Sequence, residues 1–101
     1  MRFLIKVSIP HAKFNEGVRK GSAGQAMNRI LEETKPEAAY FTEMHGKRTA
    51  ILIVNMADAS QVPALAEPWF LQFDADVEFH VVMSGEDLQR AGLEALGKKW
   101  G

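Results

Sequence analysis

Glu78 and His80 stand two residues apart in the run from Asp76 to Met83, where apolar and polar side chains alternate. Period-two alternation marks a half-buried strand and puts residues i and i+2 on one face. A carboxylate beside an imidazole on one strand face is a proton-transfer pair in outline, with His80 as the acid or base. Lys6, in the alternating run from Arg2 to Ile9, falls on the same sheet face, where an ammonium can stabilise a developing oxyanion. Tyr40 and Asn55 reach that face from two further strand-like runs and are candidate ligand contacts. The ordinary alternative is a cross-strand Lys6–Glu78 ion pair, with His80 hydrogen-bonded at an interface and no catalysis. Partly buried polar groups need partners in any case, which favours the ordinary reading.

Other candidates carry weaker signals. His11 follows Pro10 at the end of the N-terminal run, where a pocket mouth would lie; it is a candidate ligand contact, although a loop histidine is ordinarily just solvated. His45 sits beside Gly46 and Lys47 at a turn and is assigned no role. Trp69 and Phe70 can stack on an aromatic ligand at a pocket wall, yet their place after Pro68 suits core packing better. Arg19, Lys20 and the run Gly21-Ser22-Ala23-Gly24 meet a helix start, where free N–H groups favour an anion. That run is no P-loop, and a plain Ser cap explains it. Glu43 and Arg48 are expected to pair across a hairpin, with little energetic weight if exposed.

Three histidines without His-x-x-His spacing, and no cysteine at all, give no metal-site pattern, so no metal is expected. The missing thiols also exclude disulfides, thiolate nucleophiles and iron–sulfur ligation. No cofactor is expected; haem handling would need a histidine facing a cavity.

These residues must be positioned by a small number of elements. Phe3, Ile5, Val7 and Ile9 alternate with Leu4, Lys6 and Ser8, and Pro10 ends that strand. His11 to Gly21 is polar and basic and reads as a loop with at most a short turn. Ser22 and Gln25 have capping-box spacing before a helix striped by Ala26, Met27, Ile30, Leu31 and Thr34, which Pro36 stops. Two strands, Ala38 to Met44 and Arg48 to Met56, flank a His45-Gly46-Lys47 turn. Asp58 or Ser60 can cap a second helix through Val62, Leu65, Ala66 and Trp69, which Pro68 is expected to kink or end. After the strand from Asp76, Ser84 and Asp87 form another capping box ahead of one C-terminal helix.

The order β-α-β-β-α-β-α, with right-handed crossovers, predicts a ferredoxin-like βαββαβ sandwich in one α+β domain. The first strand is then central, between the third and the fourth. Phe3, Ile5, Val7, Ala39, Phe41, Leu52, Val54, Val77, Phe79 and Val81 belong under the helices. Leu4, Tyr40, Ile51, Ile53 and Val82 lie on the other face, which is too apolar to be left in water. A second copy packing sheet to sheet is the economical cover. The C-terminal helix is the competitor.

The chain's 101 residues allow one domain. A net charge of -1 provides no field for a polyanion, so no nucleic-acid partner is expected. No apolar run approaches a membrane span, the first strand lacks the h-region of a signal peptide, and a cytoplasmic location is expected.

The run Phe3 to Ile9, the segment LEETKPEAAYFTEMHGKRTAILIVNMADASQVPALAEPWF and the segment DADVEFHVVMSGEDL resemble the small muconolactone-isomerase-like proteins of unknown function. That resemblance implies a homodimeric α+β barrel with a small organic ligand. The wider superfamily includes isomerases, cofactor-free monooxygenases and haem-degrading enzymes alongside members with no known activity; if the chain is an enzyme, isomerase or cofactor-free monooxygenase chemistry on an apolar substrate is the expectation. The alternative, from another class, is a non-catalytic interaction or regulatory module whose open sheet face only mediates assembly. No catalytic motif is among the matching residues, and fold does not decide function.

Overall fold

The computed structural model describes Met1 to Gly101. Strand β1 (Arg2–Ile9) is followed by α1 (His11–Lys20) and α2 (Ala23–Thr34). A hairpin of β2 (Ala38–Met44) and β3 (Lys47–Asn55) comes next, and a 3-10 turn (Ala59–Gln61) leads into α3 (Val62–Phe73). Strand β4 (Asp76–Val81), α4 (Gly85–Arg90) and α5 (Leu93–Trp100) complete the chain. The sheet order is β2-β3-β1-β4, antiparallel throughout. This is the order expected of a ferredoxin-like sandwich, with β1 central between β3 and β4. No helix is long and apolar enough to cross a membrane.

Alternation sorts the two sheet faces as anticipated. Ile5, Val7, Ala50, Leu52 and Val54 are buried with Ile30 of α2 and with Trp69 and Phe73 of α3 in a single core. The hairpin turn is His45-Gly46, with Met44 paired to Lys47. Both turn residues have positive φ (55° and 76°), the geometry that matches the right-handed twist of the strands.

Several elements differ from expectation. His11 to Lys20 forms a helix, not a loop. Its apolar positions Phe14 and Val18 are only one turn apart, a weak signal that tertiary contact completes: the Phe14 ring lies 5.2 Å from that of Phe73. Lys13 of α1 also donates to the Leu71 carbonyl at 3.0 Å. Helix α1 ends at Gly21 in the left-handed region, with Gly21 and Ser22 N–H groups returning to the Val18 and Gly17 carbonyls. Ser22 is held in this turn, so its side chain makes no capping bond to α2. Pro68 does not end α3, which continues to Phe73 because Trp69 and Phe73, one turn apart, both anchor in the core. Phe41 and Val81, expected under the helices, are 54% and 62% exposed. The C-terminal helix is two helices, broken at Gly92, which adopts φ 74°.

These last helices extend from the domain. The radius of gyration is 17.0 Å, against about 13 Å for a compact chain of this length, and the longest dimension is 59 Å. Every residue from Leu88 to Gly101 is exposed, so the C-terminal segment does not cover the open sheet face.

Helix α4 is held locally by its capping box. Asp87 accepts from the Ser84 N–H at 2.9 Å, and Ser84 Oγ accepts from the Asp87 N–H at 3.1 Å. The Ser84 backbone N–H, then the Ser84 side chain and the Arg90 charge, hold the Asp87 carboxyl below its ordinary value of 3.8. A depressed carboxyl pKa adds stability above the unfolded value that is lost as pH falls through the folded one. Amides of α4 are therefore expected to lose protection, relative to the intrinsic exchange rate at each pH, as pH falls below about 3.8. Ser84→Ala should do the same at neutral pH, about fivefold for a cap worth ~1 kcal/mol, while β1 and β3 stay protected. Equal exchange in the variant and the parent would show that the box does not hold the helix.

Candidate functional site

The strand registers assemble a polar chain on the open face. Lys6 stands opposite Glu78 and Leu4 opposite His80 across the β1–β4 ladder, while Ile51 and Ile53 face Lys6 and Leu4 across the β1–β3 ladder. The Glu78 carboxylate joins the two neighbouring side chains: Oε1 is 3.2 Å from His80 Nε2, and Oε2 is 3.7 Å from Lys6 Nζ. Sequence alternation alone places these three together, and the geometry agrees. Glu78 and His80 are half exposed, so in a lone chain water screens the pairs to at most about 1 kcal/mol each. Excluding water strengthens both pairs, because the effective dielectric falls.

Tyr40, 66% exposed, lies on the same face opposite Ile51 of β3. Together with Leu4, Ile51 and Ile53 it forms an apolar strip beside the polar chain. Asn55 is not part of this group: its Oδ1 accepts from the Met1 ammonium at 3.0 Å, at the far end of β3. Arg2, its partner in the ladder, pairs with Glu37 at 3.1 Å. His11 is exposed in the first turn of α1, and Trp69 is fully buried in the core, not at a pocket wall.

The other side of the sheet holds a cleft of about 330 Å³ between β2, β3 and the first two helices. Its apolar lining includes Ile9, Phe14, Ala23, Met27 and Phe41, and its one charged residue is Arg48. Arg48 was expected to pair with Glu43. It faces Glu43 in the ladder, but its side chain instead donates to Asn15 Oδ1 at 2.8 Å and stacks over Phe14, 4.7 Å from the ring centroid. Glu43 accepts from the Gly46 N–H in the turn. Arg48 thus has a neutral hydrogen-bond partner and forms no ion pair.

Sequence reasoning passed over Arg48 as a site residue. The available signal was its parity: it shares a strand face with Ala50, Leu52 and Val54, and a lone cation on an otherwise apolar face needs a reason. Its true neighbours, Phe14 and Asn15, lay in the segment read as a loop. The sheet separates this cleft from Lys6, Glu78 and His80, so those three residues do not act on a ligand held in it.

A second groove, about 440 Å³, runs between α2 and α3, where Arg29 lies with Glu33 and Glu67 on a mixed-charge wall. No model of a known protein family matches the chain, and a search of curated proteins finds no match either.

Proposed function

We propose that the chain is a homodimeric α+β barrel module that binds a small organic ligand between sheet and helices, akin to the muconolactone-isomerase-like proteins it resembles. The observation that carries the assembly is the apolar strip of Leu4, Tyr40, Ile51 and Ile53 on the open face, of which Tyr40 is exposed and the other three are only partly buried. An identical face on a second copy supplies apolar surface for the strip, and twofold pairing is the commonest way to close such a surface. The Lys6–Glu78–His80 chain then lies in the interface, its groups already partnered. Light scattering at micromolar concentration is expected to give twice the chain mass of 11.2 kDa. A particle of single-chain mass would overturn the dimer, since the C-terminal helices leave the face open.

The 3.2 Å contact between Glu78 and His80 favours one second reading, in which the chamber between the paired sheets carries out isomerase-type proton transfer. α-Angelica lactone is a suitable probe, because its isomerisation takes a proton from the carbon beside the carbonyl and returns one to the γ-carbon. On this reading His80→Gln lowers the rate by at least about a hundredfold, the usual scale for a positioned acid or base, and leaves the dimer mass unchanged. A parent rate no greater than that of buffer would leave the three residues an interface role.

A further inference from the structure

We infer that the cleft under β2 and β3 is a site for a small apolar carboxylate, with Arg48 as its anion anchor. This rests on the reading that a ligand occupies the space between sheet and helices, and it adds the chemical class of that ligand.

Three observations converge on the class. First, Arg48 lines the cleft with its guanidinium stacked on Phe14 and one N–H committed to Asn15. A guanidinium offers five donors in a planar fork suited to a carboxylate. Asn15 takes one bond and no charge, so the fork is held in place without being neutralised. Second, the rest of the wall is mainly hydrocarbon and aromatic, with Ile9, Phe14, Met27 and Phe41, and its only side-chain polar groups besides Arg48 are the Thr42 and Thr49 hydroxyls. Both hydroxyls already donate, Thr42 to the Glu43 carbonyl and Thr49 to the Lys47 carbonyl, so the wall accepts the body of an organic acid and offers no free side-chain donor beyond Arg48 to the extra oxygens of a phosphate. Third, Phe41 sits on the helix-covered face of β2, opposite Ala50, yet is 54% exposed. An aromatic residue of the inner face is left uncovered where the helix layer gapes, and a flat apolar ligand in the cleft would cover it. The volume, about 330 Å³, is at the small end of ligand clefts, roughly 300–1,000 Å³, which suits a one- or two-ring acid.

The test is titration of the labelled full chain with 2-naphthoate and with its neutral counterpart 2-naphthamide, followed by amide and methyl NMR shifts. Naphthoate is expected to shift Phe14, Met27, Phe41 and Arg48 and to leave Lys6, Glu78 and His80 unmoved. Naphthamide should bind at least tenfold more weakly. Asn15→Asp is the decisive variant, because it sets a carboxylate where Oδ1 already meets Arg48 and so satisfies the cation from within. It is expected to keep the thermal midpoint of the parent and to lose at least tenfold in naphthoate affinity. Arg48→Gln should lose the same preference for the acid.

If acid and amide bind the cleft equally, the carboxylate assignment falls and the small-ligand reading stands. Should neither compound move the cleft resonances, both fall. Shifts confined to the open face would place the ligand elsewhere and overturn the site. Undiminished naphthoate binding by Asn15→Asp would remove Arg48 as the anchor.

Discussion

Trp69→Ala is expected to lose about 3–5 kcal/mol of stability, the cost of emptying a large aromatic site in a packed core. Trp69 is 0% exposed, and its ring lies 6.0 Å from Phe73, which in turn meets Phe14 at 5.2 Å. The indole therefore anchors α3 in the core and packs against Phe73, the residue through which α3 meets α1. Total stabilities of small domains are about 5–15 kcal/mol, so this one truncation removes a large share of the whole. Trp69→Phe is expected to be far milder. The indole Nε1 is buried with no hydrogen-bond partner, and an unsatisfied buried donor carries a penalty of about 1–3 kcal/mol. Phenylalanine removes that donor while retaining most of the packing. Urea unfolding of the two variants decides the point; equal losses would mean that the indole N–H is satisfied in solution.

The second large effect concerns assembly. On the proposed sheet-to-sheet assembly, Ile53→Lys is expected to leave single chains of 11.2 kDa without unfolding them. Ile53 lies beside Leu4 and Ala38 on the uncovered face, where a lysine in a lone chain can extend into water. Between two sheets the same ammonium would be taken out of water, and twofold symmetry would place one in each copy. An uncompensated buried charge costs about 3–5 kcal/mol, so dissociation should strengthen by roughly a hundredfold or more. Sedimentation across a concentration series reads this directly, and circular dichroism confirms that the variant is folded. A variant that stays dimeric at parental affinity would show that the copies meet elsewhere.

Both experiments probe features that differ in how far the sequence disclosed them. The open face was legible because a strand's side-chain period is two: once β1 and β4 pair, Lys6, Glu78 and His80 have no other face to occupy. The His45-Gly46 turn was legible for the same local reason, since a glycine between two alternating runs satisfies the hairpin by itself. Helix α1 was not, because Phe14 and Val18 define too narrow a stripe and its partner, Phe73, comes from the far side of the chain. The end of α3 was misplaced through Pro68, although core packing was the favoured place for Trp69. The missing N–H of a proline weakens one helical bond, but two core anchors a turn apart outweigh it. Arg48 was hidden by proximity: Glu43 is its neighbour in the hairpin, while Asn15, its actual partner, is remote in sequence and sits on the helix that was not foreseen.

The extended C-terminal segment has an optical consequence. The chain has two tryptophans, one sealed in the core and the other, Trp100, 77% exposed at the end of α5 with the Lys99 ammonium 5.4 Å from its ring. Iodide, an anionic collisional quencher, should be drawn to that lysine and extinguish the long-wavelength emission of Trp100 while sparing the blue emission of Trp69. One fluorescence spectrum then contains two separable channels. The quenchable one reports whatever docks on the projecting helices, and the protected one reports the integrity of the fold beneath them.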